Sequence, residues 1–267
     1  MRFLILVAAM LSMTAQAQVL APTQKSLRVE YAMGKASDLY AGTQKVSDLA
    51  ATGAYSKRDI TNISLLGSHG IGQSSQIDLG IAYGNVDAGS NSRGGIAEVM
   101  ARYIYEVYGA NNFNVDLGVG FRAPGDNRNG NDFFALSDGL TKFDYSVNLG
   151  YNLNMFHFGL YSRYTDRNSR DAKPQWLEDF IVSVNPIDRL QIALDYQIFR
   201  TSGGLDIGGT GFTGQFSQVK EEYDAIGLAA AYQICQSMIV DARYGKKLDG
   251  RNTDDNSTVA LGLTTTF

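Results

Sequence analysis

The sequence predicts an all-β protein: a membrane-spanning, antiparallel, up-and-down β-barrel of about 12 strands, with 10 and 14 as the alternatives. Three observations predict it. Apolar and polar residues alternate through most of the chain, as in strands with one greasy face. No stretch after the leader approaches the roughly 20 apolar residues that a membrane helix needs, so a crossing of lipid requires a closed sheet. The connections are short and long by turns, as a barrel with one short-turn rim and one long-loop rim requires.

The chain opens with MRFLILVAAMLSMTAQAQ: a positive charge at Arg2, an apolar run from Phe3 to Leu11, and the small-x-small pattern Ala15-Gln16-Ala17. This predicts a cleaved secretory signal peptide over residues 1–17, leaving one domain over 18–267. The apolar run is too short to span a bilayer as a helix. Loss of Arg2 leaves 22 of the 23 basic residues against 27 acidic ones, so the net charge of −4 becomes −5. That mild acidity gives no reason to expect nucleic acid as a partner. The lone Cys235 forms no internal disulfide, which suits an envelope protein whose fold needs no staple.

The alternation can be followed strand by strand. Leu27, Val29, Tyr31 and Met33 share one face, with Arg28 and Glu30 opposite. The segment DITNISLL mixes polar and apolar residues on both faces and is the least regular. Ile77 to Tyr83, Val99 to Val107, Phe113 to Phe121 and Phe143 to Leu153 then alternate cleanly. Phe156 to Leu160, Trp176 to Val184, Leu190 to Ile198, Ile226 to Tyr232, Met238 to Tyr244 and Val259 to Phe267 continue the series. Short turns are expected at 67–74, 109–112, 152–155, 185–188 and around Cys235. Long loops are expected at 36–57, 87–95, 123–141, 165–173, 201–220 and 246–255. An even strand number puts both termini at the short-turn, periplasmic rim.

Outward aromatic residues then collect near both rims, with Leu, Val, Ile and Ala between them. Tyr103, Tyr105, Phe113, Phe156 and Tyr232 fall at one rim and Tyr83, Phe121, Tyr145, Trp176 and Tyr244 at the other. Such girdles match the two membrane interfaces. A soluble β-sandwich also alternates, but it has no need of rings at both ends of its strands.

The ending NSTVALGLTTTF puts Val259, Leu261, Leu263 and Phe267 on one face and stops on the ring. It resembles the C-terminal signature of bacterial outer-membrane β-barrel proteins over about ten residues. Thr265 departs from that signature, where a larger apolar residue is usual third from the end. The resemblance implies a bacterial outer-membrane location and recognition of the last strand by the barrel assembly machinery. It also implies a porin-like protein surrounded by outer-membrane lipid and lipopolysaccharide.

Catalytic chemistry has little support in the sequence. Some barrels of this size are hydrolases that rely on a His at the membrane surface, because imidazole titrates near neutral pH. The two His are His69, in the expected turn GSHGIG, and His157, expected inward near the periplasmic rim as a hydrogen-bonded lumen residue. Neither is followed by Ser in a His-x-Ser pattern. GGLDIGGTGFTG lacks the strand-to-helix context of a phosphate-binding loop and reads as a flexible surface loop. NDFFALSDG reads as a loop that could fold inward or carry recognition. DGRNTDD reads as a solvated hairpin tip without calcium-loop spacing. No enzyme, metal or cofactor is expected.

The inward face is charged, which is tolerable only where water or a partner compensates it. About 12 strands enclose a narrow lumen, and inward Gly, Ala and Ser are expected to keep it open. The expected function is passive diffusion of small polar solutes through a constriction of Arg102, Arg122, Lys142 and Arg163 facing Glu98, Asp116 and Asp144. The alternatives are a non-conducting structural or adhesive barrel with ligand-binding loops, and a lipid-modifying hydrolase.

Overall fold

The computed structural model describes residues 19–46, 57–88, 91–125, 138–169, 171–212 and 216–267; the expected signal peptide lies outside them. Thirteen strands make one sheet: β1 (Lys25–Ala41), β2 (Gln44–Val46), β3 (Arg58–Ile71), β4 (Ser75–Ala88), β5 (Asn91–Ala110), β6 (Phe113–Pro124), β7 (Lys142–Leu153), β8 (Phe156–Arg167), β9 (Gln175–Ile187), β10 (Leu190–Thr201), β11 (Glu222–Cys235), β12 (Met238–Arg251) and β13 (Asp254–Thr266). Twelve of them close into an antiparallel barrel through β13–β1 pairing, and β2 is a short ribbon on the upper end of β1. Closure runs from Ser26 opposite Thr266 to Leu39 opposite Asp254. Lys25 and Phe267 finish it by exchanging two backbone hydrogen bonds of 2.9 Å. None of the twelve barrel strands is left as an edge, which lipid demands of a sheet.

The lower rim carries the short turns. Asn111 and Asn112 both have positive φ (53° and 66°), the backbone of a two-residue hairpin that splays no strands. The segment DITNISLL forms the heart of β3. Its irregularity arises because Ile60 faces inward into an apolar cluster with Ala32, Ala82, Val86, Ala97 and Ala260. His69 lies within β3, opposite Ile77, and is exposed on the outer wall rather than in a turn.

The upper rim departs from expectation in several places, and the loop expected at 36–57 already opens with the end of β1 and with β2. The loops expected at 87–95 and 246–255 are mostly strand: β4 and β5 pair out to Ala88 and Asn91, and β12 reaches Arg251. Nor is DGRNTDD a solvated tip, since Asn252, Thr253 and Asp254 are buried. Residues 206, 207, 220 and 221 of the β10–β11 connection lie against them. Asp206 of that connection accepts from Arg251 at 2.8 and 2.7 Å and from Asn252 at 2.8 Å. Asn252 accepts in turn from the backbone N–H of Gly42 and Ile207 and donates to the Lys220 carbonyl. The glycine-rich segment is therefore tied down over its described part, 203–212.

Outside, the barrel wall exposes apolar side chains on nearly every strand, among them Leu79, Val119, Val182, Leu194, Leu228 and Leu261. Aromatic residues flank this band, with Tyr164 edge-on to Trp176 at 4.7 Å between centroids and Phe121 against Phe143 at 5.6 Å. A wall greasy in its middle and aromatic at both margins fits a bilayer.

Two measurements check this architecture. Leu228→Arg, at the middle of the outer wall, should cost about 2–4 kcal/mol of folding stability in lipid vesicles, read by denaturant titration. The Asp206 carboxyl is held down to about 2 by hydrogen bonds from Arg251 and Asn252. Its depressed value means that its support is present above the ordinary carboxylate range and is lost as pH falls toward about 2. Hydrogen exchange of 202–212 should accelerate over that acid window, and Asp206→Asn should show the same loosening at pH 7.

Candidate functional site

Strand parity places the ionisable side chains inside. In the upper half of the lumen β5, β6, β7 and β8 bring one cluster together, because register sets Arg122 opposite Lys142 and Lys142 opposite Arg167. Arg122 grips Asp144 with two hydrogen bonds, Nε at 2.5 Å and Nη2 at 2.7 Å. It also faces Glu98 at 3.5 Å. Lys142 sits 3.6 Å from Glu98 and 3.1 Å from Asp138. Arg163 lies 3.9 Å from Asp144, and Arg167 lies 3.8 Å from Asp138. Thr165 donates to Asp144 at 2.6 Å. Among the described residues four bases thus meet three acids, a formal excess of one positive charge, in a place where all of them are nearly fully buried. Charge-assisted contacts of this density compensate the cost of removing the groups from bulk water.

Five of the residues expected at a constriction therefore sit together: Glu98, Arg122, Lys142, Asp144 and Arg163. Arg102 and Asp116 do not join them. Arg102 donates to Asp78 on the neighbouring β4, from Nε at 3.0 Å and Nη2 at 2.6 Å, and interacts with Tyr161 of β8. Among the described residues no base pairs with Asp116, which accepts instead from Asn148 at 2.9 Å and Asn114 at 3.2 Å. Two further partners were not anticipated. Arg167 was expected in a loop but belongs to β8, which runs two residues beyond Thr165. Asp138 comes from the SDG end of NDFFALSDG, for which folding inward was one of two readings, and it is buried between Lys142 and Arg167.

A second cluster joins β1, β12 and β13. Arg28 holds both oxygens of Asp241 at 2.7 and 2.8 Å and reaches Glu30 at 2.5 Å. At the top, Arg58 pairs with Asp254, and Lys247 lies 4.7 Å over the Tyr223 ring. Tyr223 stacks on Phe199 at 4.9 Å and, with Tyr161 and Leu177, makes an apolar patch inside the barrel. His157 is buried near the lower rim, its Nδ1 2.8 Å from Asn152. The lower mouth holds a cavity of about 670 Å³ lined by Val19, Ala21, Glu106, Asn112, Asn114 and Asn152.

The inward glycines serve a different purpose from the one expected. A methyl group added at Gly118, Gly150, Gly227 or Gly262 would collide with Ser146, Asn114, Asp195 or Arg28 and Asp241 respectively. These positions receive a neighbour's side chain rather than leave volume open. Gly245 is the contrast: a methyl group there would meet only the Ile226 carbonyl, at 3.9 Å.

Known structures share this architecture. An outer membrane channel from Pseudomonas putida F1 superposes with a TM-score of 0.74 at 14% identity, over 93% of this chain and 97% of that one. The NanC porin gives 0.56 at 10% identity, over 90% and 98%. The KdgM porin in complex with disordered oligogalacturonate gives 0.55 at 9% identity, over 91% and 99%. At such identities the likeness is one of fold, that of outer-membrane barrels. No curated protein matches in sequence. The family model described as putative MetA-pathway of phenol degradation matches residues 29–263, most of the chain, and the protein belongs to that family.

Proposed function

We propose that this protein is a porin-like outer-membrane channel through which small polar solutes diffuse passively, with its constriction at the Glu98–Arg122–Lys142–Asp144–Arg163 cluster. The observation that carries this is the inversion of polarity across one closed wall. Apolar residues face outward, while acids and bases drawn from every part of the sheet face the lumen. Charged groups lining a narrow path bias which solutes pass. The excess base of the upper cluster argues against the cation preference that the inward acids alone would suggest. Residues 1–17 act as a cleaved leader, and Val259, Leu261, Leu263 and Phe267 present the last strand to the assembly machinery. Lipopolysaccharide surrounds the upper wall.

Catalysis has little to rest on. His157 lies beside Asn152 in the lumen near the lower rim, and His69 is exposed on the outer wall low on β3. A second reading is favoured by the inward patch of Phe199, Tyr223, Tyr161 and Leu177 together with the description of the family: passage of small aromatic solutes, with a ring resting against that patch.

Planar-bilayer recording of the purified mature protein tests the channel. A small, steady conductance is expected, and its complete absence would favour a structural barrel whose loops bind an outside partner. In the same assay Arg122→Ala should raise conductance and reduce anion preference, because it removes the best-connected cation of the cluster. Asp144→Asn should cost about 3–5 kcal/mol in denaturant titration, because it strands Arg122 and Arg163 without their shared acid.

A further inference from the structure

The lower mouth holds a carboxylate that no described residue answers. Glu106 of β5 is half-buried there and lines the cavity of about 670 Å³. Its side chain forms neither a hydrogen bond nor an ion pair among the described residues. The β5–β6 register shifts between Glu106 and Tyr108, and the bulge at Val107 brings Gly109 onto the face that Glu106 occupies. The carboxylate lies over that glycine: a methyl group added at Gly109 would meet its two oxygens at 2.7 and 3.0 Å. Gly109 lines the same cavity, so the charge is turned toward the open space.

A second acid stands behind the first. Asp116 of β6 is directly opposite Glu106 in register and only 2% exposed. One of its oxygens accepts from Asn114 and Asn148, and the other has no partner. Asp116 feels the charge of Glu106, and among the described residues no base pairs with either acid. Two facing carboxylates without a base make a strongly negative spot, and such a spot calls for a counter-charge. Glu106 is the one that a ligand can touch. Asp116 adds its field from behind the wall, through Asn114, which lines the cavity and donates to it. The upper cluster has the opposite sign, so the two ends of the lumen attract different solutes.

The cavity fits an organic cation better than a metal ion. Among the described residues no three acids, His or Cys gather to hold a metal. The volume falls in the range of sites for small organic ligands. Its far side is the segment 19–24, fixed by the Leu20 N–H on Gln76 Oε1 at 2.9 Å. Backbone bonds of 3.1 and 2.9 Å between Gly70 and Thr23 or Gln24 hold that segment further. Side-chain amides of Asn112, Asn114 and Asn152 share the space with Glu106 and offer both donors and acceptors. A primary ammonium has three N–H donors and no acceptor, so it matches a carboxylate set among amide oxygens.

We infer that the lower mouth is a binding site for small hydrophilic primary amines in their protonated form. The ammonium lies on Glu106, and the amides of Asn112 and Asn114 receive the polar remainder of the solute. The inference stands on the cavity and does not require that the barrel conduct.

Saturation-transfer NMR with the detergent-solubilised barrel tests the site, with heat-modifiable mobility in gels as the check that each variant is folded. The probes are ethanolamine and ethylene glycol at neutral pH, alike in length and different in one end group. In the unaltered protein, transfer to ethanolamine should exceed transfer to the glycol several-fold. Glu106→Gln should remove that excess. Asp249→Asn deletes the same charge at an exposed position of the upper rim and should preserve it. Equal transfer to both probes in the unaltered protein overturns the site. So does an excess that survives in folded Glu106→Gln, or one that is lost in folded Asp249→Asn. A barrel that shows the excess but no conductance supports the site and rejects the channel alone.

Discussion

Everything in this molecule follows from the absence of water in the hydrocarbon layer. There, each backbone N–H and C=O must find its partner within the protein, and an open strand edge would leave a row of them unmet. The β1–β13 seam removes that edge. Its ladder is among the longest in the sheet, and the Lys25–Phe267 exchange extends it to the last residue of the chain. Once the sheet is closed, strand alternation leaves one face for lipid and one for the interior, and the polarity of each side chain follows from its parity.

Closure also sets the problem that the interior solves. Twelve strands enclose too little room for bulk water to solvate so many charges, yet too much for aliphatic side chains alone to fill. The chain responds with paired ions on adjacent strands, and it makes room for them with glycine. Arg28 and its partner Asp241 both lie over Gly262. The long side chain of one strand occupies the space that its neighbour leaves. Apolar lumen residues, such as Ile60 with its alanine neighbours or Phe199 against Tyr223, fill the remainder.

The barrel was legible in the sequence because parity is a local property. Tyr31, Leu79, Val119 and Leu228 announce the outer wall wherever they occur, and the terminal Phe267 and its apolar neighbours announce the end. The composition of the upper lumen cluster was legible in part for the same reason. Glu98, Arg122, Lys142, Asp144 and Arg163 are inward by alternation, but inward parity does not say at which height each side chain lies. Register between strands decides that, and it sends Arg102 to Asp78 and leaves Asp116 among amides. Loop residues carry no parity at all, so Asp138 could be anticipated only as part of a segment apt to fold inward. The tip at Asn252–Asp254 looked solvated because its polar side chains resemble those of an exposed turn. Its burial depends on a covering segment more than 30 positions away in sequence.

One side chain gives the upper mouth a collective character. The Asn252 amide contacts the backbone of Gly42, Ile207 and Lys220 and the Asp206 carboxylate, four attachments that tie its own β12–β13 turn to two connections remote in sequence. Those connections are consequently not free to drift one at a time. A change of length in the strip between β10 and β11 alters the seat of the β1 ribbon as well. This part of the upper mouth is therefore held as one linked piece, in the way a keystone constrains the stones that lean on it.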